Sequence, residues 1–245
     1  MKFRHAAALV LLAVPAFAAN RSVAACDQRM FESSRFTVCT FDSTVQDLEL
    51  ALTDTAGKPL RSFARLATGA RAVRFAMNAG MFEASGRPVG LYIEHGLERH
   101  QADVAEGEGN FFLKPNGVFS AAADGTLRIE TTAQFLDAKP QALWATQSGP
   151  MLVIDGQLHP KIAPDGASLN IRNGVGIRSR TTAVFAISDD PVSFGRMARL
   201  FRDDLHCQNA LYLDGAVSSL WWPAIRRRDA RAPLGPMFVV FDKRT

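Results

Sequence analysis

The sequence predicts an α+β fold built from mixed or antiparallel β-sheets with a few packed helices. Three observations carry that expectation. Short apolar or alternating runs recur along the chain, many bounded by Gly, Asp, Asn or Pro. Asp124-Gly125 and Asp155-Gly156 are tight-turn pairs lying between such runs. Only two segments carry a helical period, too few for a regular alternation of strands and helices.

In chain order, the predicted strands are 35–41, 47–52, 73–78, 90–94, 117–120, 127–132, 151–154, 175–177, 182–188, 210–213 and 237–241. Residues 60–70 read as a helix, with Leu60, Phe63, Ala64 and Ala67 at helical spacing. Residues 193–206 give a stronger helical pattern. Phe194, Met197, Ala198, Phe201 and Leu205 form its apolar stripe, with Arg196, Arg199, Arg202 and Asp203 on other faces. Ser193 is placed as N-cap, and His206 in the last turn suits the helix dipole. This helix runs straight into the 210–213 strand, so its stripe is expected to pack on the sheet that presents Asp214.

The N-terminus reads as an address. Lys2, Arg4 and His5 precede an apolar, alanine-rich run, and Ala16-Phe17-Ala18 fits a secretory cleavage pattern. The expected organisation is a signal peptide over 1–18, cut after residue 18 or 19, followed by one domain over 26–245. Val23-Ala24-Ala25-Cys26 also resembles a lipoprotein box, but Asn20 and Arg21 interrupt the apolar run before it. The mature chain is expected to be periplasmic or secreted, with no transmembrane segment. Loss of Lys2 and Arg4 lowers the formal charge of +4 by two, and nucleic acid is not an expected partner. The dense cluster Arg226-Arg227-Arg228-Asp229-Ala230-Arg231 reads as a solvated loop before it reads as an anion contact. Three cysteines remain, which allows one pair and one spare, or no pair. Cys26 and Cys39 are the candidate disulfide and Cys207 a candidate buried thiol. No Cys/His spacing suits zinc.

Function is read from four junctions where apolar or small residues meet glycine and polar side chains. They are 75–82 around Asn78 and Gly80, 145–150 around Gln147 and Ser148, 171–176 around Arg172 and Asn173, and 211–219 around Asp214, Gly215, Ser218 and Ser219. A carboxylate at the end of a buried run is costly unless it is paired, hydrogen-bonded or used. Four such junctions converging would make one loop-built polar pocket on a rigid scaffold.

In their order and residues these junctions resemble the phosphodiester glycosidase domain family, and within it a bacterial subgroup of exported members. Asn78-Ala79-Gly80-Met81-Phe82 is similar to the family's asparagine-glycine-glycine-phenylalanine loop. Gly149-Pro150-Met151-Leu152-Val153-Ile154-Asp155-Gly156 is similar to its glycine-proline strand and turn. Arg172-Asn173-Gly174-Val175-Gly176 and Leu213-Asp214-Gly215-Ala216-Val217-Ser218-Ser219 resemble its other two segments. The likeness runs from about Val73 to the C-terminus. Ala79, Asn173, Ala216 and Val217 depart from the family pattern, and added side chains there are expected to narrow or reshape the pocket.

The resemblance implies hydrolysis of a sugar-1-phosphodiester, with a glycan or sugar-phosphate small molecule as partner; the alternative is an envelope protein that binds such a ligand without turnover. Asp214 is the expected nucleophile or base. Arg172 would hold the phosphate with its planar fork. Asn78, Gln147, Ser148, Asn173, Ser218 and Ser219 would bond sugar hydroxyls or phosphate, and backbone N–H groups at Gly80, Gly149 and Gly215 would line an anion-binding concavity. Glu94 is the candidate second carboxylate. No cofactor is expected; a hard cation such as calcium, held by Asp214 and carbonyl oxygens, is the alternative. Trp221 and Trp222 read as core before they read as a sugar platform.

Overall fold

The computed structural model describes residues 25–243. The expected signal segment lies outside the described residues. Three antiparallel sheets share one core. The first has seven strands in the order Cys26–Phe31, Ser34–Asp42, Thr182–Ser188, Asn173–Ile177, Asn209–Tyr212, Met151–Ile154 and Gln157–Leu158. The second runs Arg227–Arg228, Leu220–Trp222, Val73–Asn78, Met237–Asp242 and Gln46–Ala51. The third runs Leu97–His100, Tyr92–Glu94, Ala142–Ser148, Gly117–Ala122 and Leu127–Thr131.

Strand alternation explains the layering. In the Thr182–Ser188 strand, Ala183, Phe185 and Ile187 face the shared core, while Val184 and Ala186 face the helical side. In the Met237–Asp242 strand, Phe238 and Val240 face inward, and Met237, Val239 and Phe241 face a third cluster with Leu60 and Phe63. One phenylalanine from each sheet meets at the centre. Phe119, Phe185 and Phe238 have ring centroids 5.3–5.9 Å apart at steep angles, contacts worth about 0.5–1.5 kcal/mol each beyond burial.

The Phe194–Arg199 helix is capped by the Ser193 hydroxyl, which accepts from the Arg196 N–H at 3.1 Å. Its last turn widens over Leu200–Asp204, where the Leu205 N–H reaches the Leu200 carbonyl. Met197, Ala198, Leu200, Phe201 and Leu205 are buried against the first sheet. His206 falls just beyond, at φ +54°. The predicted 60–70 helix is only a short turn, Phe63–Arg65. Arg61 and Gly69 hold positive φ at its ends, and Leu60 and Phe63 serve as apolar anchors for the second sheet. A further helix, outside the two predicted segments, occupies Thr132–Ala138, with a capping box between Thr131 and Gln134.

Cys26 and Cys39 face each other across the first hairpin and are joined as a disulfide. Cys207 is buried, and burial pushes its thiol up to about 12, a pKa that leaves it inert. Trp222 lies in the core and Trp221 packs on Phe63. The arginine cluster is split: Arg227 turns inward to Asp189 and Asp229 at 2.7 and 3.0 Å, while Arg226 and Arg228 are exposed.

Candidate functional site

The Asp214 turn sits on the seam between the first and second sheets. Leu213 leaves the Asn209–Tyr212 strand and donates its N–H to the Asn173 carbonyl at 3.2 Å. The next N–H, of Asp214, donates across the seam to the Ala79 carbonyl at 3.1 Å. The chain then tightens into the Gly215–Val217 turn, which Asp214 caps by accepting the Ala216 N–H at 3.2 Å. Glycine is required at 215, because a methyl group there would overlap the Tyr212 hydroxyl.

A buried polar network fixes this turn. The Asn78 amide donates to the Asp214 carbonyl at 2.8 Å. Its oxygen accepts from the Ser219 N–H and from the Asn173 amide, both at 2.9 Å. Ser218 donates to the Asn173 oxygen at 3.1 Å, and Ser219 to the Val217 carbonyl at 2.8 Å. All four side chains are buried. Satisfied networks of this kind rigidify what they hold. Asn78, Asn173, Ser218 and Ser219 therefore act on one another and on the backbone that carries Asp214.

The Asp214 carboxyl is partly exposed, and burial pushes its pKa up to about 6 against the opposing pull of the Ala216 N–H. Among the described residues no cationic side chain pairs with it. Beneath it lies Tyr212, whose ring packs edge-on against Phe194 at 4.6 Å. Burial raises the Tyr212 phenol, and the Asp214 charge adds to that shift.

Arg172 is placed differently from the phosphate fork the sequence suggested. It is 1% exposed. Its guanidinium donates to the Val192 carbonyl at 2.8 Å, the Ser168 carbonyl at 2.9 Å and the Tyr212 hydroxyl at 3.2 Å, and it stacks on Phe194 at 3.7 Å. Its donors are turned inward, where they fix Tyr212 and the 168–172 loop. Gln147 is likewise inward. Its oxygen accepts from the Leu91 and Asp103 N–H groups at 2.9 Å each, and its amide donates to the Asp103 carbonyl at 2.7 Å. The Ser148 hydroxyl is buried without a hydrogen-bond partner. Gly80 lets the 78–82 loop lie against the third sheet, since a methyl there would overlap Thr146 and the Gln147 carbonyl. Gly149 likewise packs closely on Asn116 and the Phe111 carbonyl.

Glu94 is carried away from Asp214. Tyr92 pairs with Thr146 and Ile93 with Ala145, so the strand runs toward the end of the third sheet opposite Ser148. There Glu94 lines a cleft with Leu48, Leu50 and Trp144. Among the described residues no three His, Cys, Asp or Glu side chains gather as a cation site. Of the departures from the family pattern, Asn173 is absorbed into the buried network. Val217 packs toward the Leu60, Phe63 and Leu234 cluster, and Ala216 is exposed. Tyr212 and Ser168 were not anticipated. The one available signal was a phenol in an otherwise apolar run directly before Asp214.

Three antiparallel sheets with few helices, and a carboxylate turn locked at the seam of two of them, define an α+β domain carrying a loop-built polar site. Residues 71–241 match the family described as phosphodiester glycosidase, and the chain belongs to that family. The uncharacterized Escherichia coli (strain K12) protein YigE is 42% identical over 151 residues, which is 61% of this chain and 58% of that protein. This chain thus spans little more than half of that relative's length. The fold is shared with the catalytic domain of zebrafish N-acetylglucosamine-1-phosphodiester alpha-N-acetylglucosaminidase, auto-inhibited by its pro-peptide. The TM-score is 0.60 at 16% identity, over 89% of this chain and 82% of that one. A hypothetical protein from Synechocystis matches with a TM-score of 0.56 at 14% identity, over 89% of this chain and 61% of that one.

Proposed function

We propose that the chain is an exported hydrolase that releases a sugar from a sugar-1-phosphodiester, with Asp214 as the carboxylate that acts at the anomeric carbon. The single observation that carries this reading is the Asp214 carboxyl itself. It is partly exposed, has no cationic partner among the described residues and is moved to about 6; it accepts the Ala216 N–H, while Ala79 and Asn78 hold the main-chain N–H and carbonyl of the same residue. At neutral pH such a group is mostly ionised, which suits a base or a nucleophile. Family membership and the name of the zebrafish relative support the substrate class.

In the proposed step, Asp214 takes a proton from water as the water oxygen bonds to the anomeric carbon, or attacks that carbon itself before water releases the sugar. The bond between the anomeric carbon and the phosphate oxygen breaks, and its electron pair leaves with the phosphomonoester. A phosphodiester oxygen is a good leaving group, so one carboxylate suffices where an ordinary glycoside needs two. The placement of Glu94 agrees with a one-carboxylate scheme. Export rests on the basic, apolar N-terminal segment and the Ala16-Phe17-Ala18 pattern, with the mature domain spanning 26–245.

One observation favours a second reading. The inward guanidinium of Arg172 leaves the phosphate without its expected fork, which suits a sugar-binding protein without turnover. Free-sugar release from a panel of sugar-1-phosphodiesters separates the two. Turnover of at least one member supports hydrolysis. Saturable binding with no release supports the binder.

A further inference from the structure

We propose that the chain carries a second ligand site, remote from Asp214, in which Glu94 receives the ammonium of a small organic amine with a compact apolar body. The site is a cleft of about 300 Å³ between the Gln46–Ala51 strand and the end of the third sheet. Leu48, Leu50, Leu127 and Trp144 line it as its apolar wall. That volume stands at the small end of ligand pockets. Glu94 also borders a second hollow of about 240 Å³.

The charges along the cleft are unequally satisfied. Asp47 and Glu49 are both held by Arg71, which stacks in turn on Phe241 at 3.9 Å. Lys243 donates to the Ser43 carbonyl at 2.7 Å. Glu94 has no ion pair among the described residues, although burial raises its pKa against the weaker pull of His95 and Arg99. Beside it the Tyr92 hydroxyl is fully buried without a well-formed hydrogen bond. A half-buried carboxylate that has the Tyr92 hydroxyl beside it but no ion pair among the described residues, set against an apolar wall, is complementary to a cation joined to an apolar group. An anion of the same shape would meet Glu94 as a like charge.

This inference does not rest on Asp214 or on turnover. The test is a titration of the ¹⁵N-labelled mature protein with phenethylamine, beside 3-phenylpropionate and 2-phenylethanol of similar shape. Saturable shifts are expected at amides of residues 46–50 and 94–96 and at the Trp144 indole N–H. Glu94→Gln should weaken phenethylamine about tenfold while leaving 2-phenylethanol unchanged. Lys243→Gln, at the exposed rim, should tighten the amine about two- to threefold. The proposal is overturned if 3-phenylpropionate binds as tightly as the amine. It is equally overturned if neither variant changes the amine's affinity, if the shifts map to the Asp214 turn, or if no saturable shift occurs.

Discussion

Replacing Asp214 by Asn should stabilise the fold at neutral pH. The folded chain holds the Asp214 carboxyl at about 6, against an ordinary value of 3.8. Folding therefore binds a proton more tightly than the unfolded chain does. The resulting penalty is present in full above about pH 6 and disappears as pH falls toward about 4. At about 1.4 kcal/mol per pH unit, the full shift corresponds to about 3 kcal/mol. Asp214 is partly exposed and screened by water, which brings the working magnitude to about 1–2 kcal/mol. Asparagine retains an oxygen for the Ala216 N–H and removes the charge. Thermal melts of both proteins, run at about pH 7.5 and about pH 4, should show a gain for the variant of roughly 2–8 °C at the higher pH, at about 2–4 °C per kcal/mol. The gap should close at the lower pH. Equal or lower stability of the variant at about pH 7.5, or a gap that does not change with pH, would mean that the Asp214 charge carries no cost in the fold. A carboxylate kept at a cost to stability marks a site held for function.

The contacts at Arg172, at Asn173 and at the Cys26–Cys39 bridge give further outcomes. Arg172→Met should cost about 3–5 kcal/mol in urea denaturation, because the buried Val192 carbonyl, the Ser168 carbonyl and the buried Tyr212 hydroxyl lose their donor. Arg172→Lys should recover only part of this, since the three N–H groups of an ammonium radiate from one nitrogen and cannot span the acceptors that Nε and both terminal nitrogens of the guanidinium reach. Asn173→Ala should cost about 2–3 kcal/mol by opening the network that joins Asn78 to Ser218; the folded variant should turn over substrate more slowly than it loses affinity for it, read as kcat against KM. Reduction of the Cys26–Cys39 bridge should lower stability by about 3 kcal/mol, as expected for closure of a short loop, in paired melts with and without reductant.

Most of the sheet was legible because strand alternation survives in the sequence wherever one face meets the shared core, as in 182–188 and 237–241. Edge strands such as Cys26–Phe31 and Leu97–His100 were not, because they bury little and carry no apolar period. The 60–70 segment shows the opposite failure. Leu60 and Phe63 have helical spacing, yet they are buried as anchors of an irregular loop, where tertiary packing overrides local period. The site was legible as four polar junctions, and the structure ties those at Asn78, Asn173 and Asp214 directly to one another. What sequence could not supply was direction. Arg172 and Gln147 are polar residues at junctions, and both turn inward because buried carbonyls and N–H groups there need partners. Glu94 was distant for a simpler reason: its strand pairs antiparallel to Ala142–Ser148 and runs away from the seam.

Whether Asp214 acts on the anomeric carbon of a sugar phosphodiester is decided by a pH profile of free-sugar release. The wild type should cleave at least one sugar-1-phosphodiester, with kcat/KM rising through about pH 6 to a plateau as the carboxylate ionises. Asp214→Asn, still folded, should lose about a thousandfold or more across the whole range. A variant that matches the wild type, or a wild-type profile with no limb near pH 6, would remove Asp214 from the chemistry.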